Sequence, residues 1–363
     1  MYTITKNISN GSFGTIKECI KDGKLYAVKI INVDKSIGLD NLLELSIMNN
    51  IKHHNINKAK DILVKNNLVY IFQKKAKCTL YDVYKKDNSK LQIKKWLYDL
   101  TSSIKALHDL NIIHCDIKLN NVLLSKSNRI KLTDFGESTK IWNKKFRFKH
   151  ETSTPRYKPP EILKSEKWDQ SLDIWSLGCI FFELWIGKKL FLDNGYYDVK
   201  PYILAHEEFR LFMNNHEYNM INDDFNPPSI TKHDLSLMPP DMYGLFVSMM
   251  SFNKRPSCDE MLQNSFFDEV RSVKKYKIKS IDITNLIEYN NTNDIIKNKI
   301  EEITSKIYSY NINIITDKYK LREVSYFLAS KLVIGKYEYE VTEELLQLEI
   351  EICNNMRYNF LTL

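Results

Sequence analysis

HCDIKLNN, residues 114–121, places a histidine, an aspartate, a lysine and an asparagine at fixed offsets within one short stretch. Two readings are open: a catalytic loop, or a polar turn between buried strands. Its flanks narrow the choice. Upstream, IKKWLYDLTSSIKALHDL (93–110) carries Leu97, Leu100, Ile104 and Leu107 at helical spacing. Downstream, NVLLS (121–125) and RIKLTDFG (129–136) read as short strands. A polar octet between such elements lies on a loop, where chemistry is commonly placed.

Working outward, the first 80 residues read mostly as strands: YTITKNIS, GTIKECIK, KLYAVKII, KAKDILVK and NLVYIFQ, separated by turns such as KDGK. One helical stretch interrupts them, DNLLELSIMNNIKHH (40–54). Helical patterns return from 170 to about 270, and a second helical region spans 294–360. The chain is therefore α+β, with a small β-rich part followed by a larger helical one and an all-α tail. The formal net charge is +8, from 53 basic and 45 acidic residues spread along 363 positions. No basic run is interleaved with aromatics, which argues against nucleic acid as a partner. The densest basic cluster, KKYKIK (274–279), reads as a solvated linker. Six scattered cysteines without C-x-x-C spacing argue against a zinc site or disulfide framework and for a reducing, cytoplasmic or nuclear setting. The most apolar run, IWSLGCIFFELWIG (174–187), is too short for a bilayer and carries Glu183, so it reads as a buried helix and no membrane partner is expected.

Several motifs fit phosphate chemistry. In SNGSFG (9–14), Gly11 and Gly14 let a hairpin backbone approach phosphate oxygens, though two hairpin glycines are usually plain turn chemistry. YAVK (26–29) puts Lys29 on a strand, and Glu44 follows on the next helix. DFG (134–136) ends a strand; PPE (159–161) and DIWSLG (173–178) come later. Each is weak alone. Their order is not: glycine hairpin, strand lysine, helix glutamate, HCDIKLNN, DFG, PPE, DIWSLG.

Over about residues 1–270 this order resembles the eukaryotic-type protein kinase family. The resemblance implies a bilobal fold, with an N-lobe over 1–75 and a C-lobe over 76–270, a basic linker over 271–293 and the tail over 294–363. It implies ATP and Mg2+ as cofactors and transfer of a γ-phosphoryl group to serine or threonine of protein substrates, the lysine two residues after Asp116 favouring those acceptors. It assigns Asp116 to the substrate hydroxyl, Lys118 to the transferring phosphate, and Thr154 to a bond with both. Asn121 and Asp134 would ligate magnesium. Lys29, oriented by Glu44, would hold the α- and β-phosphates. Ser9, Asn10, Gly11, Ser12, Phe13, Gly14 and Thr15 would line the phosphates; Ile8, Ile16, Ala27 and Leu123 would sandwich adenine. Phe72 aligns as the gatekeeper, with Gln73, Lys74 and Lys75 as the hinge. His114 would pack beneath Phe135, Glu161 would pair with Arg255, and Asp173 would cap the catalytic-loop backbone.

The resemblance is strongest to the cyclin-dependent kinase group, and its departures are informative. The arginines that hold an activating phosphate are replaced by Leu43, Cys115 and Thr139, and the phosphosite by Lys149. Activation is therefore expected without phosphorylation of residues 137–153. GLDNLLE (38–44) matches the cyclin-contacting segment only at Glu44, while LREVSYFLASKL (321–332) and TEELLQLEIEICNNMRYNFL (342–361) resemble part of a cyclin box, with Lys331 and Glu349 as its kinase-contacting pair. A tail of that kind would contact its own kinase lobe or a neighbour's, or act as a regulator of another kinase; the alternative reading is a plain helical extension packing on the kinase. The competing reading, a nucleotide-binding pseudokinase scaffold, is weakened because Lys29, Asp116, Asn121 and Asp134 are all in place.

Overall fold

The computed structural model describes residues 2–11, 14–32, 44, 47–48, 51–65, 68–140, 155–164, 166, 168–192, 200–215, 230–271 and 277–278. It divides into two compact units. One contains Met1–Lys52, Lys58–Lys74 and the strand at 277–278; the other contains His53–Asn57 and Lys75–Tyr276. Both segments of the expected cyclin-like tail lie outside the described residues.

The first unit is an antiparallel sheet. Strands β1 (Thr3–Gly11), β2 (Gly14–Lys21), β3 (Lys24–Asn32), β5 (Asp61–Lys65) and β6 (Leu68–Lys74) stand in the order β1-β2-β3-β6-β5. The KDGK turn works as its composition suggests: Asp22 and Gly23 both have positive φ, and Lys21 pairs with Lys24 across them. Two consecutive left-handed residues match the right-handed twist of the strands they join. Gly14 adopts φ 137°, and a Cβ there would collide with the Ile30 carbonyl. The glycine is thus required by strand packing as well as by any ligand. On one face of the sheet Cys19, Val28 and Phe72 are buried, and Tyr2 stacks on Phe72 with ring centroids 3.7 Å apart.

Two expectations change here. The helix expected over 40–54 is helical at Glu44, Ile47 and Met48 but has ended by Ile51, because Ile51–Lys52 forms strand β4. Its partner is β12 (Lys277–Ile278), with Ile278 opposite Ile51. The basic stretch expected to be solvated linker therefore contributes a strand, a non-local pairing that no local pattern encodes.

The second unit is built around helices. The helix α1 (Lys90–His108) starts at Ser89, whose hydroxyl accepts from the Gln92 N–H at 3.2 Å, and it buries Ile93, Leu97, Leu100, Ile104 and Leu107. Two small sheets surround it: β8 (Ile112–Ile113) with β11 (Thr139–Lys140), and β9 (Val122–Leu124) between β10 (Ile130–Leu132) and β7 (Cys78–Thr79). Helix α2 (Pro160–Leu163) precedes α3 (Ser171–Ile186), in which every residue from Leu172 to Trp185 is buried. Such all-round burial marks the centre of a core. Trp175, Phe181, Phe182, Phe246, Phe266 and Phe267 pack there. Helix α3 stops at Gly187, which takes the left-handed conformation that ends helices. Among the described residues no helix is long and apolar enough to cross a membrane.

Glu161 and Arg255, 94 residues apart, form the expected pair. The guanidinium meets both carboxylate oxygens, at 2.5 and 3.0 Å, and Nε donates to the Ser251 carbonyl. A two-pronged contact of this kind fixes geometry as well as charge.

Candidate active site

The sheet unit supplies a buried cation. Lys29 projects from β3, and its ammonium donates to Glu44 Oε1 at 2.7 Å and Oε2 at 2.9 Å. Side-chain exposure is 7% and 1%, so neither charge has much water to rely on. Each requires the other.

Cross-strand register identifies what shares the Lys29 face. Ile16 and Ile71 are the partners of Lys29; Glu18 and Gln73 are the partners of Ala27. Directly opposed residues point to the same face, and successive residues alternate. Ile16, Glu18, Ala27, Lys29, Ile71 and Gln73 therefore form one surface. Phe72 pairs with Val28 on the other face, in the cluster with Cys19 and Tyr2. The gatekeeper alignment to Phe72 is corrected: the position beside Lys29's surface is taken by Gln73, whose side chain contacts Met48. In LVYIFQK the residues alternate between two partly apolar faces, so composition alone does not fix the phase. Ile8 lies in the irregular part of β1, between paired Asn7 and Ser9, and is exposed. Ser9 pairs with Ile16, Asn10 with Thr15 and Gly11 with Gly14; Ser12 and Phe13 lie outside the described residues.

The helical unit holds the acid and amide. Asp116 Oδ2 accepts from Lys118 Nζ at 2.7 Å and from Asn121 Nδ2 at 2.8 Å. Asn121 Nδ2 also donates to the Asp116 carbonyl, at 2.9 Å. With its nitrogen committed twice, Asn121 keeps Oδ1 as the atom to meet a cation. Asn121 and Asp134 offer a hard-oxygen pair, a donor set that suits magnesium, which takes few protein ligands and fills the rest with phosphate and water oxygens. Asp134 has φ 63° and follows Thr133, whose N–H donates to the Asn121 carbonyl at 3.0 Å. Leu123 lies on β9, and Lys75 follows β6. Thr154 lies outside the described residues, as do Lys149 and 141–153 of the activation segment.

The loop is suspended from α3. Asp173 accepts from the His114 N–H at 2.9 Å and the Cys115 N–H at 3.0 Å. Cys115 has φ 65°, the left-handed region that a non-glycine residue avoids, and the carboxylate helps hold it there. His114 accepts from the Asp116 N–H through Nδ1 and donates to the Thr133 carbonyl through Nε2 at 3.1 Å. Both ring nitrogens are thus engaged, and the ring lies 5.3 Å from that of Phe135. That is a scaffold residue and not a base.

The sequence reading missed His108. Its Nε2–H donates to Asp173 Oδ2 at 2.9 Å, and Nδ1 lies 3.8 Å from the Cys258 sulfur. Burial opposes a charged imidazole, but Cys258 and Asp173 outweigh it and the pKa is pushed up to about 10. Its position at the end of α1 was visible, but its partners lie 65 and 150 residues away. Beside Asp116 is a pocket of about 20 Å³, room for one water, lined by Cys115, Glu137, Tyr157, Lys158 and Trp168 among others. Burial lowers the Lys158 pKa, and Glu137 and Asp116 oppose the shift.

Known proteins share this arrangement of sequence. The protein kinase domain family matches residues 2–267. Cyclin-dependent kinase 2 of Caenorhabditis elegans is 33% identical over 198 residues, covering 51% of this chain and 54% of that one. Cell division control protein 2 homolog 3 of Trypanosoma brucei brucei is 30% identical over 193 residues, covering 51% and 62%. Serine/threonine-protein kinase Nek1 of Mus musculus is 30% identical over 195 residues, covering 50% and 16%. The matched region thus spans less than two thirds of each relative. With a match across most of its length, the chain belongs to the protein kinase domain family.

Proposed function

We propose that the protein is a serine/threonine kinase that transfers the γ-phosphoryl group of ATP to protein substrates, with its activation segment working without phosphorylation. The observation that carries this reading is the Asp116–Lys118–Asn121 cluster: a carboxylate placed by two donors, beside a cation and an amide oxygen. Phosphoryl transfer needs positioning and neutralisation of charge more than covalent help. In this reading Asp116 orients the substrate hydroxyl, Lys118 accompanies the transferring phosphate, and Lys29 holds the α- and β-phosphates. Magnesium, held by Asn121 and Asp134, would neutralise charge on the phosphates. Lys118 supports serine and threonine as acceptors, as does the name of one relative, serine/threonine-protein kinase Nek1. The missing arginines at Leu43, Cys115 and Thr139 support independence from an activating phosphate. The cyclin-like tail, and a cyclin-type contact through the Glu44 helix, belong to the same proposal.

The test is transfer from γ-labelled ATP to a generic basic protein, with Asp116→Asn as control. The expected result is incorporation on serine and threonine, lowered about 10²- to 10⁴-fold by the substitution. Activity should survive phosphatase treatment of the enzyme. Wild-type protein no more active than Asp116→Asn would mark a pseudokinase, and collapse after phosphatase would refute the claim about the activation segment.

A further inference from the structure

We propose that Lys189 is a positioning residue for the protein acceptor: enclosed by Glu183 and three tyrosine rings, it fixes Tyr157 in the wall of the pocket beside Asp116. This rests on the kinase reading above and adds a residue outside the Asp116–Lys118–Asn121 cluster. Lys189 lies just beyond α3, two residues after Gly187 ends that helix. Its ammonium donates to the Tyr157 hydroxyl at 2.8 Å and to Glu183 Oε2 at 3.0 Å. The Tyr157 hydroxyl in turn donates to the same carboxylate oxygen at 2.6 Å. The three groups close a ring of hydrogen bonds, in which the phenol oxygen accepts from the cation and directs its own hydrogen to the anion. Side-chain exposure is 11% for Lys189 and 1% for Glu183. Burial pushes the Glu183 pKa up and the Lys189 pKa down, and each group opposes the other's shift. A buried pair of this kind depends on good geometry and on further hydrogen bonds, which Tyr157 supplies.

The cage joins three segments of the helical unit. The Lys189 ammonium lies 5.0 Å from the centre of the Tyr81 ring, 4.6 Å from that of Tyr84 and 5.4 Å from that of Tyr157. Aromatic faces attract a cation, more strongly where water is excluded. One lysine thus ties the residues after β7, the segment 155–158 and the end of α3. That segment is held to α3 at two points. Ser176 Oγ donates to the Tyr157 carbonyl at 2.7 Å, and Glu183, two helical turns further on, accepts from the Tyr157 hydroxyl. The first bond fixes the main chain; the second, with Lys189, fixes the ring. Tyr157 and its neighbour Lys158 line the pocket of about 20 Å³ that Asp116 also lines. A turn of the ring therefore changes the surface next to the carboxylate assigned to the substrate hydroxyl. Lys29 and the glycine hairpin belong to the other unit. Lys189 accordingly acts on the acceptor protein and not on the nucleotide.

The experiment uses the full chain, ATP and the generic basic protein. KM is measured for each substrate, and the Kd of the basic protein is measured with a non-hydrolysable ATP analogue, so one readout does not depend on turnover. Lys189→Ala should raise KM and Kd for the basic protein about three- to tenfold, leave KM for ATP near wild type and keep kcat within about twofold. Tyr157→Phe removes the hydroxyl and keeps the Lys189–Glu183 pair; it should show the same split, and it decides the matter if Lys189→Ala does not fold. The atoms deleted in Lys189→Ala correspond to n-propylammonium. That cation should restore the KM of the basic protein in Lys189→Ala, and 1-propanol should not. Variants with a lowered Tm that weaken both substrates alike would make the cluster structural and overturn the proposal. So would equal affinity for the basic protein in wild type and Tyr157→Phe, or none in either. Rescue by 1-propanol as good as by n-propylammonium overturns the role of the caged charge. Wild-type protein that binds the basic protein more tightly than Tyr157→Phe but transfers nothing would refute the kinase reading alone.

Discussion

Two carboxylates organise the two units, and they are used in opposite ways. Glu44 gives both oxygens to one side chain, Lys29, across a contact between a helix and a sheet. Asp173 gives its oxygens to two backbone N–H groups of the catalytic loop and to the His108 ring. The first bond joins two flexible side chains, so a shift of the helix breaks it while the sheet ladder stays intact. The second holds main chain, including Cys115 in its left-handed conformation. The difference suggests that the Lys29–Glu44 pair serves chemistry and can be made or broken, while Asp173 belongs to the fold and cannot be spared.

The largest effect that would test this contrast is Asp173→Leu. It strands two backbone donors and a charged imidazole in a region where Asp173 itself has no exposure. The expected loss of unfolding free energy is about 3–5 kcal/mol, read from the urea midpoint, with phosphotransfer lost as well. A midpoint near wild type would erase the distinction. Next comes Glu44→Leu alone, which removes the carboxylate that buried Lys29 meets at 2.7 and 2.9 Å and should cost several kcal/mol, at most about 5. The sharper measurement is Lys29→Met combined with Glu44→Leu. Replacing a whole buried ion pair by apolar groups is often neutral or stabilising, so the double variant should unfold within about 1 kcal/mol of wild type. It should nonetheless transfer no phosphate. If the double variant is as unstable as Asp173→Leu, the ion pair is structural and the contrast fails.

This asymmetry also explains what could be read from sequence. Lys29, Glu44, Asp116, Asn121 and Asp134 stood out because chemistry restricts their types and their order along the chain. Asp173 and the Glu161–Arg255 pair were legible for the same reason, although the latter spans 94 residues. Phe72 and Gln73 were not. Shifting a strand's phase by one residue exchanges its faces, and in β6 buried residues occur on both, Val69 and Ile71 on one and Phe72 on the other. The β4–β12 pairing was hidden because its partners lie more than 200 residues apart in a segment whose lysines suggested solvent. His108 was hidden because nothing local distinguishes a helix-end histidine bound to a carboxylate from one bound to water.

The effects of pH build up gradually, and they set two histidines of the helical unit against each other. Against the opposing effect of burial, Cys258 and Asp173 together raise the His108 pKa from 6.5 to about 10. His206, on the helix α4 (Lys200–Asn215), is packed between Trp175 and Phe191, with ring centroids 4.9 and 4.7 Å away. Neither of its nitrogens has a hydrogen-bond partner among the described residues, and burial, aided by Arg255 and Lys164, lowers its pKa from 6.5 to about 3. The signs follow from linkage. For His108 the folded state binds the proton more tightly, so its stabilisation is complete below 6.5 and declines as pH rises towards 10. For His206 the unfolded state takes up the proton first, so stability declines as pH falls from 6.5 towards 3. Each flank should slope by up to about 1.4 kcal/mol per pH unit, less where other groups titrate alongside. Urea midpoints measured across this range should show His206→Leu flattening the acid flank and His108→Gln flattening the alkaline one. A His206→Leu variant with the wild-type acid slope would mean that this ring does not remain neutral inside its aromatic cage. Equal slopes in His108→Gln and wild type on the alkaline side would mean that Asp173 holds the catalytic loop without a charged partner.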